Sequence, residues 1–171
     1  MKNIIITGGA GFIGSRFAKL CIEKGHNIKI IDKMTYAANM DRLDVNLGPI
    51  ILHEKDICDV DHNDILHADY IVNFAAETHV DNSIKDGKPF IRSNVEGVFN
   101  LIEQSRKIGV KKFIQISTDE VYGDILEGES KETDSIKPSY LHIGHMACHI
   151  LLQGHVTILD LANMKKSLYL K

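Results

Sequence analysis

Three glycines and one acid are the first residues whose spacing could do chemistry. Gly8, Gly11 and Gly14 lie within TGGAGFIGS (residues 7–15) at the spacing G-x-x-G-x-x-G. This is a variant of the dinucleotide fingerprint, in which backbone passes close to a pyrophosphate and a helix sits tight on the preceding strand. A side chain at Gly8 or Gly11 is expected to fill space meant for phosphate oxygens. The helix beginning near Phe12 offers free N–H groups and a dipole to the anion. Taken alone, the triplet fits equally a glycine turn where nothing binds. The next apolar run, NIKIID (27–32), ends in Asp32, eighteen residues after Gly14. A carboxylate there accepts hydrogen bonds from adenosine ribose hydroxyls and repels a 2′-phosphate, which points to NAD rather than NADP. The competing reading of Asp32 is a solvated acid at a strand end.

Thr118, Asp119 and Glu120 form a second constellation, directly after the apolar run KKFIQIS (111–117). Two neighbouring carboxyl groups in different environments can divide the roles of general acid and general base. The alternative is that Ser117-x-x-Glu120 is a capping box at a helix start. His79 and Asp81 invite reading as a dyad. Lys33 and Arg92 read as solvated or phosphate-contacting cations rather than bases. His142, His145 and His149 fall at i, i+3 and i+7 and could share a helical face, but no carboxylate or cysteine completes a ligand set, so no metal is expected.

These residues must be held by strands and helices in alternation. Residues 3–7 are a short β-branched run, as expected of a strand covered on both faces. Residues 12–24 carry Ile13, Phe17, Leu20 and Cys21 on one face and stop at Gly25, the pattern of a first crossover helix. A polar loop (33–39), a short helix reaching residue 47, a third strand (49–54), a short helix (61–67) and a fourth strand (69–75) follow. Residues 89–108 form the longest helical pattern, with an apolar set wider than one core face requires, so part of it is expected to meet a second helix or subunit. Residues 111–117 are the fifth strand. Five strands alternating with helices imply an α/β, Rossmann-like doubly wound parallel sheet of order 3-2-1-4-5. Residues 127–138 read as a charged surface loop. Residues 139–161 are apolar at helical spacing and residues 164–171 make only a poor sixth strand or tail.

At 171 residues the chain suits one domain, burying about two thirds of its unfolded surface. A net charge of −3 with no basic run gives no reason to expect nucleic acid or an anionic membrane. Cys21, Cys58 and Cys148 are too scattered for a disulfide framework and read as reduced thiols of a cytoplasmic protein. No signal peptide is expected, and no apolar run reaches the roughly 18 residues of a membrane span.

With the glycine turn, DKMTYAAN (32–39), DIC (56–58), FAAETHVDNSI (74–84) and STDEVYG (117–123) in hand, the chain resembles the dTDP-glucose 4,6-dehydratases, nucleotide-sugar enzymes of the extended short-chain dehydrogenase/reductase family. Epimerase and decarboxylase relatives share the glycine turn but usually lack the Asp-Glu pair before Val-Tyr-Gly. The resemblance implies NAD as a recycled cofactor: hydride leaves sugar C4, water is eliminated across C5 and C6, and the hydride returns to C6. It places Phe12 and Ile13 over the pyrophosphate, Asp32, Lys33, Met34 and Thr35 at the adenosine ribose, and Asp56 with Ile57 at the adenine. Phe74, Ala75, Ala76, Glu77 and Thr78 would line the nicotinamide side with Ser93 nearby, and Thr78 and Thr118 would touch the sugar. Asp119 is the expected acid and Glu120 the base, while HVD (79–81) becomes a turn beside the sugar. A homodimer is a further implication.

The chain departs from this family after Pro138. The expected Tyr-x-x-x-Lys, in which tyrosine takes the C4 hydroxyl proton and lysine lowers its pKa, is not intact in PSYLHIGHMACHILLQGH. Tyr140 is followed four residues on by Gly144, and no register restores the pair. Tyr140 reads as an ordinary loop residue, or as a displaced tyrosine lacking its lysine. The resemblance covers about half of a full-length member, so the lobe that closes over the sugar is expected to be absent. The sequence thus leaves three expectations open: an NAD-binding portion of a dehydratase, an impaired NAD-binding or dimerising remnant, and, disfavoured by Asp119-Glu120, a UDP-sugar epimerase or decarboxylase relative.

Overall fold

The structure is a computed structural model that describes residues 1–43, 48, 50–79, 82, 85–117, 122, 128, 129, 131 and 134, and the backbone of 156–159. Strands β1 (Asn3–Thr7), β2 (Asn27–Asp32), β3 (Ile51–Glu54), β4 (Tyr70–Asn73), β5 (Lys112–Ile116) and β6 (Val156–Leu159) form one sheet of order β3-β2-β1-β4-β5-β6. The first five run parallel, in the expected order 3-2-1-4-5. β6 is antiparallel, pairing Phe113 with Leu159 and Ile116 with Val156. It lies inside the stretch expected to be helical, and not in residues 164–171. Val-Thr-Ile-Leu is a β-favouring run, and the free edge of β5 supplies a ladder for it.

Alternating side chains of β1 explain its unbroken apolar sequence. Ile4 and Ile6 join Ala18 and Cys21 of helix α1 (Phe12–Glu23), together with Ile28, Ile30 and Val72. Ile5 points to the other face, with Ile31, Ile71 and Phe113 against Leu101 and Val110. A strand buried on both faces cannot alternate apolar with polar residues. The second layer is helical from Lys88 to Ile108: α2 (Lys88–Ile91) runs through a π-helical segment, Arg92–Gly97, into α3 (Val98–Ile108). Phe90, Val98 and Leu101 are buried, whereas Ile91 and Phe99 are 39% and 59% exposed, which accounts for an apolar set too wide for one face.

Two expected helices differ. Residues 40–42 are a 3-10 turn, with 44–47 outside the described residues. Residues 62–67 are turns rather than a helix. Here the side chain of Asp61 accepts the Asn63 N–H at 2.7 Å, and that of Asp64 accepts the Asp61 N–H at 2.8 Å. Such local side-chain bonds compete with helical hydrogen bonding. No helix of the described residues is long and apolar enough to cross a membrane.

Candidate functional site

The carboxyl ends of β1, β2, β4 and β5 open on one crevice, as doubly wound sheets place their ligand sites. The glycine turn divides it. On one side a cavity of about 100 Å³ is bounded by Asp32, Lys33, Thr35, Lys55, Asp56, Ile57, Glu77 and Ser93. On the other a cavity of about 530 Å³ is bounded by Phe12, Ile13, Gly14, Tyr36, Thr78, His79, Asn94, Gln115 and Ser117. Gly8, Gly11, Phe74, Ala75 and Ala76 border both.

Gly8 has φ +68°, and a Cβ there would lie 2.6 Å from the Ala75 nitrogen. Backbone packing against the exit of β4 and a left-handed turn thus each require glycine here, whatever space a phosphate needs. A Cβ on Gly14 would overlap the Gly8 carbonyl oxygen, which seats α1 directly beneath the turn. No side chain caps α1, so its first turn presents backbone donors to the crevice. The Phe12 and Ile13 side chains are exposed, and the Arg42 guanidinium lies 5.9 Å from the Phe12 ring centroid.

Asp32 is only 8% exposed. Its Oδ2 accepts the Ala10 N–H at 2.9 Å and its Oδ1 the Met34 N–H at 2.9 Å. The acid therefore ties the glycine turn to the loop after β2, and each oxygen retains a lone pair for a ligand hydroxyl. Met34 is held at φ +56° with its side chain against the α1-side core, so it meets the site through its backbone rather than its side chain. Asp56 is paired with Lys33 at 2.9 Å and lies 3.6 Å from the Arg92 Nε. Burial opposes its ionisation, yet the Cys58 N–H and the Lys33 ammonium outweigh burial and hold the carboxyl below its ordinary range. The same acid helps to keep the neighbouring thiol protonated: burial first, then the Asp56 charge, pushes Cys58 up to about 11.

The larger cavity rests on a buried polar row. Thr7, Asn73 and Gln115 are direct neighbours in the registers β1–β4 and β4–β5. The Thr7 hydroxyl donates to Asn73 Oδ1, which also accepts the Ala75 N–H at 3.1 Å. Asn73 Nδ2 donates to Gln115 Oε1 at 2.7 Å, and Gln115 Nε2 donates to the Ile116 carbonyl at 2.9 Å. Above this row Asn94 grips the backbone of Glu77 twice: Oδ1 accepts its N–H and Nδ2 donates to its carbonyl, both at 2.9 Å. The π-helical widening turns Ser93 and Asn94 inward, where both are buried. Tyr36 and His79 approach across the rim with ring centroids 5.7 Å apart.

The glycine turn, Asp32, Lys33, Thr35, Asp56, Ile57, Ser93 and residues 74–78 thus come together around one crevice. Thr118, Asp119, Glu120, Asp81, Tyr140, His142, His145, His149 and Cys148 lie outside the described residues. Among the described residues no group of three metal-ligating side chains occurs. Sequence reasoning passed over Ala10, Asn73, Asn94 and Gln115. The signal for two of them was present: Asn73 and Gln115 are polar residues in otherwise largely apolar runs, each three residues after the first residue of its strand.

The model of the GDP-mannose 4,6 dehydratase family matches residues 5–140. A dTDP-glucose 4,6-dehydratase of Streptomyces niveus is 41% identical over 151 residues, covering 80% of this chain and 44% of that protein. The low-salt glycan biosynthesis protein Agl12 of Haloferax volcanii is 40% identical over 145 residues, covering 80% and 46%. The crystal structure of DesIV, a dTDP-glucose 4,6-dehydratase from Streptomyces venezuelae solved with NAD bound, superposes with a TM-score of 0.80 at 32% identity, over 87% of this chain and 50% of that one. The chain spans about half the length of the relatives it matches. With the matched residues running through β1 to β5 and every loop around the crevice, the chain belongs to the GDP-mannose 4,6 dehydratase family.

Proposed function

We propose that this chain is the NAD-binding portion of a dTDP-glucose 4,6-dehydratase. The observation that carries the reading is the glycine turn standing between two cavities, one walled by Asp32 and Asp56, the other by Thr78, Gln115 and Ser117. A dinucleotide has that shape, with its pyrophosphate over the turn and one nucleoside in each compartment. The presence of NAD in the DesIV structure supports it. Bound NAD supplies reversible hydride acceptance from the sugar.

The chain's own residues do the rest. Gly8, Gly11, Phe12 and Ile13 receive the pyrophosphate on backbone donors. Asp32, with Lys33, Met34 and Thr35 around it, accepts from the adenosine ribose and repels a 2′-phosphate. Asp56 and Ile57 border the adenine, and residues 74–78 with Ser93 orient the nicotinamide half. Thr78 and Thr118 hold the sugar, Asp119 gives a proton to the departing C6 hydroxyl, and Glu120 takes the C5 proton. Because no Tyr-x-x-x-Lys stands after Pro138, the C4 hydroxyl proton lacks its usual base, and turnover by this chain is slow or nil. Exposed Ile91 and Phe99 on the α2–α3 face support a homodimer.

Titration calorimetry with NAD, NADP and dTDP-glucose tests this reading. NAD binding in preference to NADP is expected, and no NAD binding overturns it. Turnover is followed separately through the alkali-induced absorbance of the 4-keto product, and ordinary dehydratase rates would refute the slow-turnover part.

A further inference from the structure

The row Thr7–Asn73–Gln115 has a direction that geometry alone fixes. The Ala75 N–H can only donate, so the Asn73 atom facing it is an oxygen, and the other end of that amide must be its NH₂. Gln115 is therefore bound to present its oxygen to Asn73 and its own NH₂ to the Ile116 carbonyl. Gln115 is 4% exposed, and Thr7 and Asn73 are fully buried. All four amide and hydroxyl contacts lie under the larger cavity, joining the ends of three adjacent strands.

Within the NAD-binding reading, we infer that Gln115 is a positioning residue: its amide couples the loop after β4, which starts at Phe74, to the chain leaving β5 at Ser117, and so sets the width of the cavity that takes the nicotinamide half. Packing alone would not need glutamine here, since an apolar side chain of equal length would fill the same volume between β4 and the α3 layer. An amide is needed because Asn73 offers a donor that has no water to turn to, and because the β5 exit must be drawn to a fixed distance from it. The adenosine side is built on Asp32 and Asp56, whose bonds go to Ala10, Met34 and Cys58, and it meets the row only at Ala75, on the wall that both cavities share.

This separation gives the test. In the full chain, Gln115→Met and Gln115→Glu are compared with the unaltered protein for AMP and NAD affinity by calorimetry, with thermal melting to confirm folding. AMP reports the adenosine side, NAD both sides. Gln115→Met is expected to leave AMP affinity within about twofold and to weaken NAD tenfold or more, a difference of about 1.4 kcal/mol. In Gln115→Glu the carboxylate still accepts from Asn73 but repels the Ile116 carbonyl. Protonation restores the lost donor, so NAD affinity of this variant is expected to recover as pH falls from 7.5 to 5.5 while that of the unaltered protein does not. Equal loss of AMP and NAD affinity, unchanged NAD affinity, or no recovery with acid each overturns the inference. If the unaltered protein binds AMP but not NAD, or neither, the NAD-binding reading itself fails, a result distinct from any variant's.

Discussion

The Asp32 carboxylate accepts the Ala10 N–H at 2.9 Å, so the last residue of β2 holds the glycine turn that follows β1. One side chain thereby has two tasks, shaping the turn and facing a ligand. Replacing it with alanine removes acceptors from two backbone donors, Ala10 and Met34. Asp32→Ala is expected to lower stability by about 1–3 kcal/mol and to weaken NAD binding by more than tenfold. Chemical denaturation and calorimetry measure the two, and unchanged NAD affinity would undo the cofactor assignment.

Gly8→Ala places a Cβ at φ +68° against the Ala75 nitrogen. The left-handed backbone costs roughly 1–2 kcal/mol before any overlap. A loss of more than about 2 kcal/mol is expected, and denaturant melts of the purified variant read it directly.

Asn94 is the clamp on the loop that carries Thr78. In Asn94→Leu both bonds to Glu77 vanish, leaving a backbone N–H and carbonyl unpaired, so stability falls by about 1–3 kcal/mol. Hydrogen exchange at the Glu77 amide should accelerate well beyond what the change in global stability explains. An amide that stays protected would show that the loop is held elsewhere.

Asp64 gathers Lys55 at 2.7 Å, His53 at 3.3 Å and the Asp61 N–H between β3 and the turns at 62–67. Burial opposes its ionisation, but Lys55 and the Asp61 N–H prevail and hold its pKa below the ordinary value. A carboxyl depressed in the folded state stabilises fully above its unfolded pKa of about 3.9, and that contribution is lost as pH falls through the folded pKa. Urea melts of the unaltered protein should show stability dropping below about pH 4. Asp64→Asn should lose on the order of 2 kcal/mol at pH 7 and show a shallower acid decline. An equally steep decline in the variant would assign it to other groups.

Much of the crevice was legible in the sequence because its parts are local. A β-branched run, three glycines and a terminal acid each report a backbone requirement within a few residues, and the order 3-2-1-4-5 follows from parallel strands joined by right-handed crossovers. The positions of Asp32, Asp56 and residues 74–78 around one hollow follow from that order. What tertiary structure decided is long-range and two-sided. Nothing in residues 61–67 announces that Asp64 would be drawn to Lys55 and His53, at the expense of a helix. Residues 156–159 keep an apolar spacing compatible with a helix until the open edge of β5 offers backbone partners. Asn94 and the trio Thr7, Asn73 and Gln115 acquire meaning only when strands far apart in sequence lie side by side, because a buried amide is defined by the groups it meets.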